Sequence, residues 1–258
     1  MRRCLLALVS FSLCASSVYL FNDLLDLPSD RKRAQTATKP LASGEIRPLP
    51  TMVLQAALLV AAIAIGFQLT RGFLLLLMGY YLLMCAYSLA LKQMVVLDVL
   101  VLATGYCLRV GAGAAVVSVR PSAWLIALCG SLFMSLALLK RYAELISTEA
   151  VAGAAAPVRG YVAADAPIIA VQGIASGYVS VLVLALYTTT DLVQTRYAHQ
   201  QVFWWLCVLL LYWVTYMWLM ARRGRIPHDP VMFALRDRTS LVLGIGMGIA
   251  ALAAAFAP

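Results

Sequence analysis

Long apolar runs, each broken by a short polar stretch, organise this chain from end to end. Runs near residues 4–21, 50–69, 72–91, 96–119, 122–139, 167–187, 201–220 and 239–257 carry few charges. They are about 18 to 24 residues long, the length that carries a helix across a bilayer core. Backbone groups in lipid must bond within their own segment, so the pattern predicts helices and not open sheets. The expected architecture is an all-α, polytopic transmembrane helical bundle of about eight helices, a single domain over residues 1–258. Arg2 and Arg3 followed by the apolar stretch 4–15 imitate a secretion signal. Cleavage there would cut the polar residues that follow from the helix that anchors them, so the segment is read as a span.

Composition agrees: 63% of the residues are hydrophobic and 12% are charged. The net charge of +9 gives topology rather than a nucleic-acid partner. Loops that follow odd-numbered spans hold fourteen of the twenty basic residues, and the even loops hold only Arg71, Arg120 and Arg196. Positive charge is retained in the cytoplasm, so the odd loops are expected there. The six cysteines fall inside predicted spans without a Cys-x-x-Cys pair and read as packing residues. His199 and His228 lie in loops on opposite faces, which argues against a histidine metal site.

The most informative chemistry follows the first run. Asn22, Asp23, Asp26 and Asp30 recur at helical spacing and fall within an arc of roughly 100°. Clustered acids at a membrane edge are costly and need a cationic partner. Oxygen-only ligands favour Mg²⁺, with Asp23, Asp26 and Asp30 as its ligands. Pro28 is expected to kink or end the helix near Leu27. Arg109 lies deep in a predicted span, where Asp98 or a backbone group is the expected partner. Lys140, Arg141 and Glu144 have the spacing of an ordinary helix-end ion pair.

The string Asn22-Asp23-x-x-Asp26-x-x-x-Asp30-Arg31, continued by Lys39-Pro40-Leu41-Ala42-Ser43-Gly44, resembles the first signature of the UbiA superfamily of intramembrane prenyltransferases. That resemblance implies nine helices, of which this chain starts at the second. It also implies a role for Tyr87 and Lys92, the pair Tyr-x-x-x-x-Lys, at a diphosphate. Most aromatic prenyltransferases of the superfamily carry a second acidic motif where this chain has Lys140, Arg141 and Glu144. Together with Asp229-Pro230-Val231-x-Phe233-Ala234-Leu235-Arg236-Asp237-Arg238, that departure is similar to the decaprenyl-phosphate phosphoribosyltransferase branch.

The branch implies transfer of 5-phosphoribose from phosphoribosyl diphosphate to a polyprenyl phosphate, for cell-envelope polysaccharide precursors. Asp23, Asp26 and Lys92 would be catalytic. Asn22, Arg31, Lys39, Tyr87, Lys140, Arg141, Glu144, Arg236 and Arg238 would bind substrate. It further implies a bacterial inner membrane location, a site facing the cytoplasm, and no nucleic-acid partner; a homo-oligomer stays open. The alternative is an aromatic or quinone prenyltransferase acting on a ring such as 4-hydroxybenzoate. A carrier is disfavoured, because the even loops hold only three basic residues and one acid.

Overall fold

The structure is a computed structural model, and it describes residues 2–32, 36–152, 159–190, 193, 201–226 and 229–256. His199 and His228 lie outside the described residues. The chain forms two compact units, Met1–Pro121 and Ser122–Pro258.

The first unit contains α1 (Arg2–Asp30), the short α2 (Pro40–Ser43), α3 (Pro48–Gly66), α4 (Arg71–Leu89) and α5 (Leu97–Val116). α1 is its hub and packs on all four of the others. The buried face of α1 is a seam of small side chains: Ala7, Ser10, Cys14, Ser17 and Val18. Small residues let neighbouring backbones approach, which is how helices associate without a hydrophobic drive between them. Ser10 Oγ donates to the Ala62 carbonyl on α3 at 2.7 Å. Two turns further along the pair, Gln55 Nε2 donates to Ser17 Oγ at 3.0 Å.

The second unit contains α6 (Ala123–Ala152), α7 (Ala166–Thr188), α8 (Gln201–Arg222), the short α9 (Pro230–Ala234) and α10 (Arg238–Phe256). α7 packs along α6 and α8, and α10 packs on α8. Gly173 and Gly177 make these contacts close. A Cβ on Gly173 would meet Trp218 Cζ2 at 2.1 Å, and one on Gly177 would meet Val214 Cγ1 at 2.5 Å. The Trp218 indole, seated over Gly173, donates to Ser135 Oγ at 3.1 Å. This Gly-x-x-x-Gly pair lets the neighbouring helices approach α7 closely.

Among the described residues, seven helices have the length and apolar character of membrane spans, and residues 238–253 of α10 form a shorter apolar one. The expected bundle is therefore present, but two helix ends differ from the hydropathy boundaries. α1 does not stop at Leu27. It runs through Pro28 to Asp30, and the Arg31 amide still reaches the Leu27 carbonyl at 3.2 Å. A proline in the last turn sacrifices one hydrogen bond without ending the helix. α6 likewise runs past residue 139 to Ala152, so Lys140, Arg141 and Glu144 lie inside a helix.

Candidate functional site

The end of α1 places Asn22, Asp23, Asp26 and Asp30 on consecutive turns, as their spacing requires. Asn22 Nδ2 donates to Asp26 Oδ2 at 3.0 Å, an i,i+4 contact that fixes the Asp26 carboxylate. Ser29 Oγ donates to the Asp26 carbonyl at 2.9 Å.

Two lysines from elsewhere in the first unit reach this cluster. Lys92 sits in a 3₁₀ turn, Leu91–Gln93, between α4 and α5. Its Nζ donates to Asp26 Oδ1 at 2.5 Å and to Asn22 Oδ1 at 3.4 Å. This pair is largely buried, with side-chain exposures of 9% for Lys92 and 19% for Asp26. Between this turn and α5 stands Val96, the N-cap of α5 and a β-branched residue with φ 71° and ψ −45°. Such a conformation costs about 1–3 kcal/mol and is held only where its surroundings determine it.

Lys39 approaches from the other side. It precedes Pro40, so its backbone is extended (φ −61°, ψ 140°) and caps α2, with Pro40 at the first helical position. Gly44 closes α2 in the left-handed conformation at φ 88°. The Lys-Pro-x-x-x-Gly string is thus helix punctuation that turns Lys39 back onto α1. Lys39 Nζ donates to Asp30 Oδ2 at 2.8 Å and to Asp23 Oδ1 at 3.4 Å. Burial works to lower the Lys39 pKa, but the hydrogen bond to Asp30 and the charges of Asp23 and Asp30 outweigh it and raise it. Lys39 therefore remains a cation.

The donor set at this end of α1 is three carboxylates and one amide, all oxygen ligands of the hard type that Mg²⁺ takes. By donor chemistry the residues fit the metal. Among the described residues, no three acidic, histidine or cysteine side chains converge as a preformed cage. Instead the ammonium groups of Lys39 and Lys92 balance the carboxylates.

The other expected site residues divide by burial. Arg31 is exposed. Tyr87 is 7% exposed and packs in the core of the first unit. In the second unit, Arg141 is fully buried and pairs with Glu144 one turn along α6. Lys140 is less buried, its Nζ 3.6 Å from Asp229 Oδ2. Asp229 also caps α9 by accepting from the Val231 and Met232 amides. Arg236 and Arg238 are exposed on either side of Asp237. Asp237 accepts from Tyr216 Oη at 3.0 Å and from the Ser240 amide at 2.8 Å, which ties the start of α10 to α8. Sequence reading did not identify Asp229 and Asp237 as structural, although an Asp before Pro230 and an Asp three residues before Ser240 are capping signals.

Away from this end, Arg109 reaches a neighbouring helix. It donates to Tyr80 Oη at 2.7 Å, and its guanidinium lies 5.1–5.9 Å from the ring centroids of Phe11, Tyr80 and Tyr106.

Comparison with known proteins bears on these observations. Residues 1–236 match the family model described as the UbiA prenyltransferase family. An uncharacterized protein of Sinorhizobium fredii, y4nM, is 31% identical over 239 residues, covering 92% of this chain and 46% of that protein. The nodulation protein NoeC of Azorhizobium caulinodans is 28% identical over 246 residues, 95% of this chain and 80% of that protein. A decaprenyl-phosphate phosphoribosyltransferase of Mycolicibacterium smegmatis is 35% identical over 145 residues, 55% of this chain and 45% of that protein. The chain thus spans about half the length of y4nM and of the phosphoribosyltransferase. In structure it is similar to a UbiA homolog from Archaeoglobus fulgidus bound to DMAPP and Mg²⁺. The TM-score is 0.70 at 18% identity, over 100% of this chain and 87% of that one. That likeness gives the fold.

Proposed function

The chain belongs to the UbiA prenyltransferase family, and from that premise we propose that it moves 5-phosphoribose from phosphoribosyl diphosphate to a polyprenyl phosphate, releasing diphosphate. The observation that carries this reading is the pair of cations, Lys140 and Arg141, beside the single acid Glu144 on α6. A phosphoribosyl donor has phosphate at both ends, so it calls for cations at a second place as well as at the diphosphate. The 35% identity to decaprenyl-phosphate phosphoribosyltransferase over 145 residues supports the same substrate class.

The chemistry follows from the residues. The bond from ribose C1 to the diphosphate breaks, and a bond from C1 to the acceptor phosphate oxygen forms. Charge grows on the leaving diphosphate, which is where stabilisation counts most. Mg²⁺ held by Asp23, Asp26 and Asp30 would supply Lewis-acid neutralisation of that group. Asn22 orients Asp26. Lys92, Lys39 and Arg31 offer donors to phosphate oxygens, and Lys140 serves the 5-phosphate or the acceptor phosphate. Arg236 and Arg238 add exposed positive charge shortly after Asp229, the partner of Lys140. The acceptor is already an anion, so no general base is needed. Both units act in this reading as the one domain of residues 1–258. The site faces the cytoplasm of a bacterial inner membrane, in keeping with the basic bias of the odd loops.

Membranes carrying the protein should convert labelled phosphoribosyl diphosphate and polyprenyl phosphate into a lipid-linked phosphoribose. If they instead prenylate 4-hydroxybenzoate from a prenyl diphosphate and leave phosphoribosyl diphosphate untouched, the ring-acceptor reading replaces this one.

A further inference from the structure

The two lysines at the carboxylate cluster are not equivalent. Lys92 is 9% exposed and its partner Asp26 is 19% exposed, with 2.5 Å between Nζ and Oδ1. Parting such a pair strands a charge in a poorly solvated place, a costly change. Lys39 is itself 41% exposed; of its two partners Asp23 is 40% exposed and Asp30 only 10%. Its ammonium lies between two carboxylates, 2.8 Å from Asp30 and 3.4 Å from Asp23. The lysine, on a flexible stem and part-exposed, can take another partner, but the buried Asp30 it leaves then requires another cation. The Lys39 backbone caps the four-residue α2 and is bonded to Thr36 and Ser43, so only its side chain needs to move.

We propose that the Lys39 ammonium is a resident cation between Asp23 and Asp30 that yields its place to a divalent metal only when a diphosphate arrives to take the lysine. Metal and anion then bind as a coupled pair, while Lys92 stays on Asp26 throughout. Charge balance motivates the coupling. With both lysines in place, the three carboxylates carry one net negative charge, a poor match for a dication. With Lys39 turned onto the diphosphate, Asp23, Asp26 and Asp30 with Lys92 carry two, which one Mg²⁺ balances. Neither ligand alone brings about that rearrangement: the metal meets a neutralised site, and the anion meets carboxylates once the lysine leaves them.

This inference rests on the proposed function only in taking diphosphate as the anion at this site. The full chain in lipid nanodiscs is titrated with Mn²⁺, read by electron paramagnetic resonance, with and without inorganic diphosphate. Protein-bound Mn²⁺ is separated from the soluble Mn²⁺–diphosphate complex. Wild-type protein should bind Mn²⁺ about tenfold or more tightly with diphosphate, an ordinary size for coupling between ligands. Lys39→Gln should bind Mn²⁺ more tightly than wild type when no diphosphate is present, and gain less on its addition. Lys39→Arg should keep the wild-type coupling. Equal Mn²⁺ affinity for wild type with and without diphosphate overturns the proposal, and so does a Lys39→Gln affinity no tighter than wild type in its absence. If Lys39→Gln does not recover as folded protein, the wild-type comparison decides alone. Absence of Mn²⁺ binding under every condition removes the metal reading of the carboxylates itself, a different result from loss of coupling.

Discussion

Lys92 and Asp26 are 66 positions apart in sequence, and the Lys92 ammonium donates to the Asp26 carboxylate at 2.5 Å. The contact joins the turn between α4 and α5 to the end of α1 and makes one unit of the cluster. Because both side chains are largely buried, removing one partner should cost roughly 3–5 kcal/mol. Lys92→Met is expected to lower the thermal midpoint of the purified protein. Lys39→Met removes the more exposed of the two lysines but leaves Asp30, 10% exposed, without its cation, so its shift should be smaller than that of Lys92→Met yet measurable. Equal shifts for the two variants would show that burial does not distinguish these lysines.

Asp23→Asn and Asp26→Asn should insert into the membrane and yet lose turnover, because each removes a formal charge from the oxygen donor set. Chelation of divalent cations should abolish wild-type activity and added Mg²⁺ should restore it. Full turnover in excess chelator would rule out the metal role of the carboxylates.

The spans were legible because lipid imposes a simple rule: an apolar run of the right length becomes a helix. Hydropathy reports where lipid ends, not where the helix ends. α1 and α6 therefore continue past their apolar runs, and the acids of α1 and Lys140, Arg141 and Glu144 of α6 lie on helix rather than in loops. Within the site, the spacing of Asn22, Asp23, Asp26 and Asp30 could be read directly. The attachment of Lys92 to Asp26 could not, because no local pattern reports a contact between residues so distant in sequence. Lys39 was legible as a cation but not as the partner of Asp23 and Asp30, since that depends on how Pro40 and Gly44 fold α2. Arg109 shows the same limit: its hydrogen bond to Tyr80 comes from a neighbouring helix, which spacing along its own helix does not report.

Arg109 and Tyr80 form a polar pair among apolar neighbours, so a double-mutant cycle should expose their coupling. Tyr80→Phe leaves the guanidinium short of an acceptor and should cost about 1–3 kcal/mol. In an Arg109→Met background the same change should be nearly silent. Equal effects of Tyr80→Phe in both backgrounds would mean the 2.7 Å contact contributes nothing to stability.

Gly173→Ala should be poorly tolerated, since its Cβ would fall 2.1 Å from Trp218 Cζ2 and 3.1 Å from Leu138 Cβ. Overpacking of this kind costs about 1–3 kcal/mol. Gly79→Ala, with nothing within 4 Å of the added carbon, is the matched control and should be neutral or slightly stabilising. Thermal melts of both variants in one detergent test the contrast, and equal midpoints would refute it.

Orientation is tested by impermeant maleimide labelling of intact cells. Cys4 is exposed and must first be replaced by Ser. A cysteine at Val119, beside Arg120, should label from outside, and a cysteine at Glu45, after α2, should not. The reverse pattern would place the carboxylate cluster on the outer face and deny it a cytoplasmic donor.

Donor choice rests on Lys140 and Arg141, and their burial assigns them different parts. Arg141 is fully buried against Glu144, so its loss should act first on the fold of α6. Lys140 is about 30% exposed and 3.6 Å from Asp229, a loose pair that leaves its ammonium available to a phosphate. A charge-assisted hydrogen bond to phosphate is worth roughly 1.5–3 kcal/mol. Lys140→Ala should therefore lower kcat/KM for phosphoribosyl transfer by about tenfold to a hundredfold. Its thermal midpoint should scarcely move, because a half-exposed ion pair contributes little stability. Arg141→Ala should lower both activity and midpoint. Arg141→Lys should recover part of each, since lysine keeps the charge and loses the planar fork. Normal phosphoribosyl transfer by Lys140→Ala would remove the second anion site from this helix. A fall in activity that tracks the midpoint in every variant would make both residues structural.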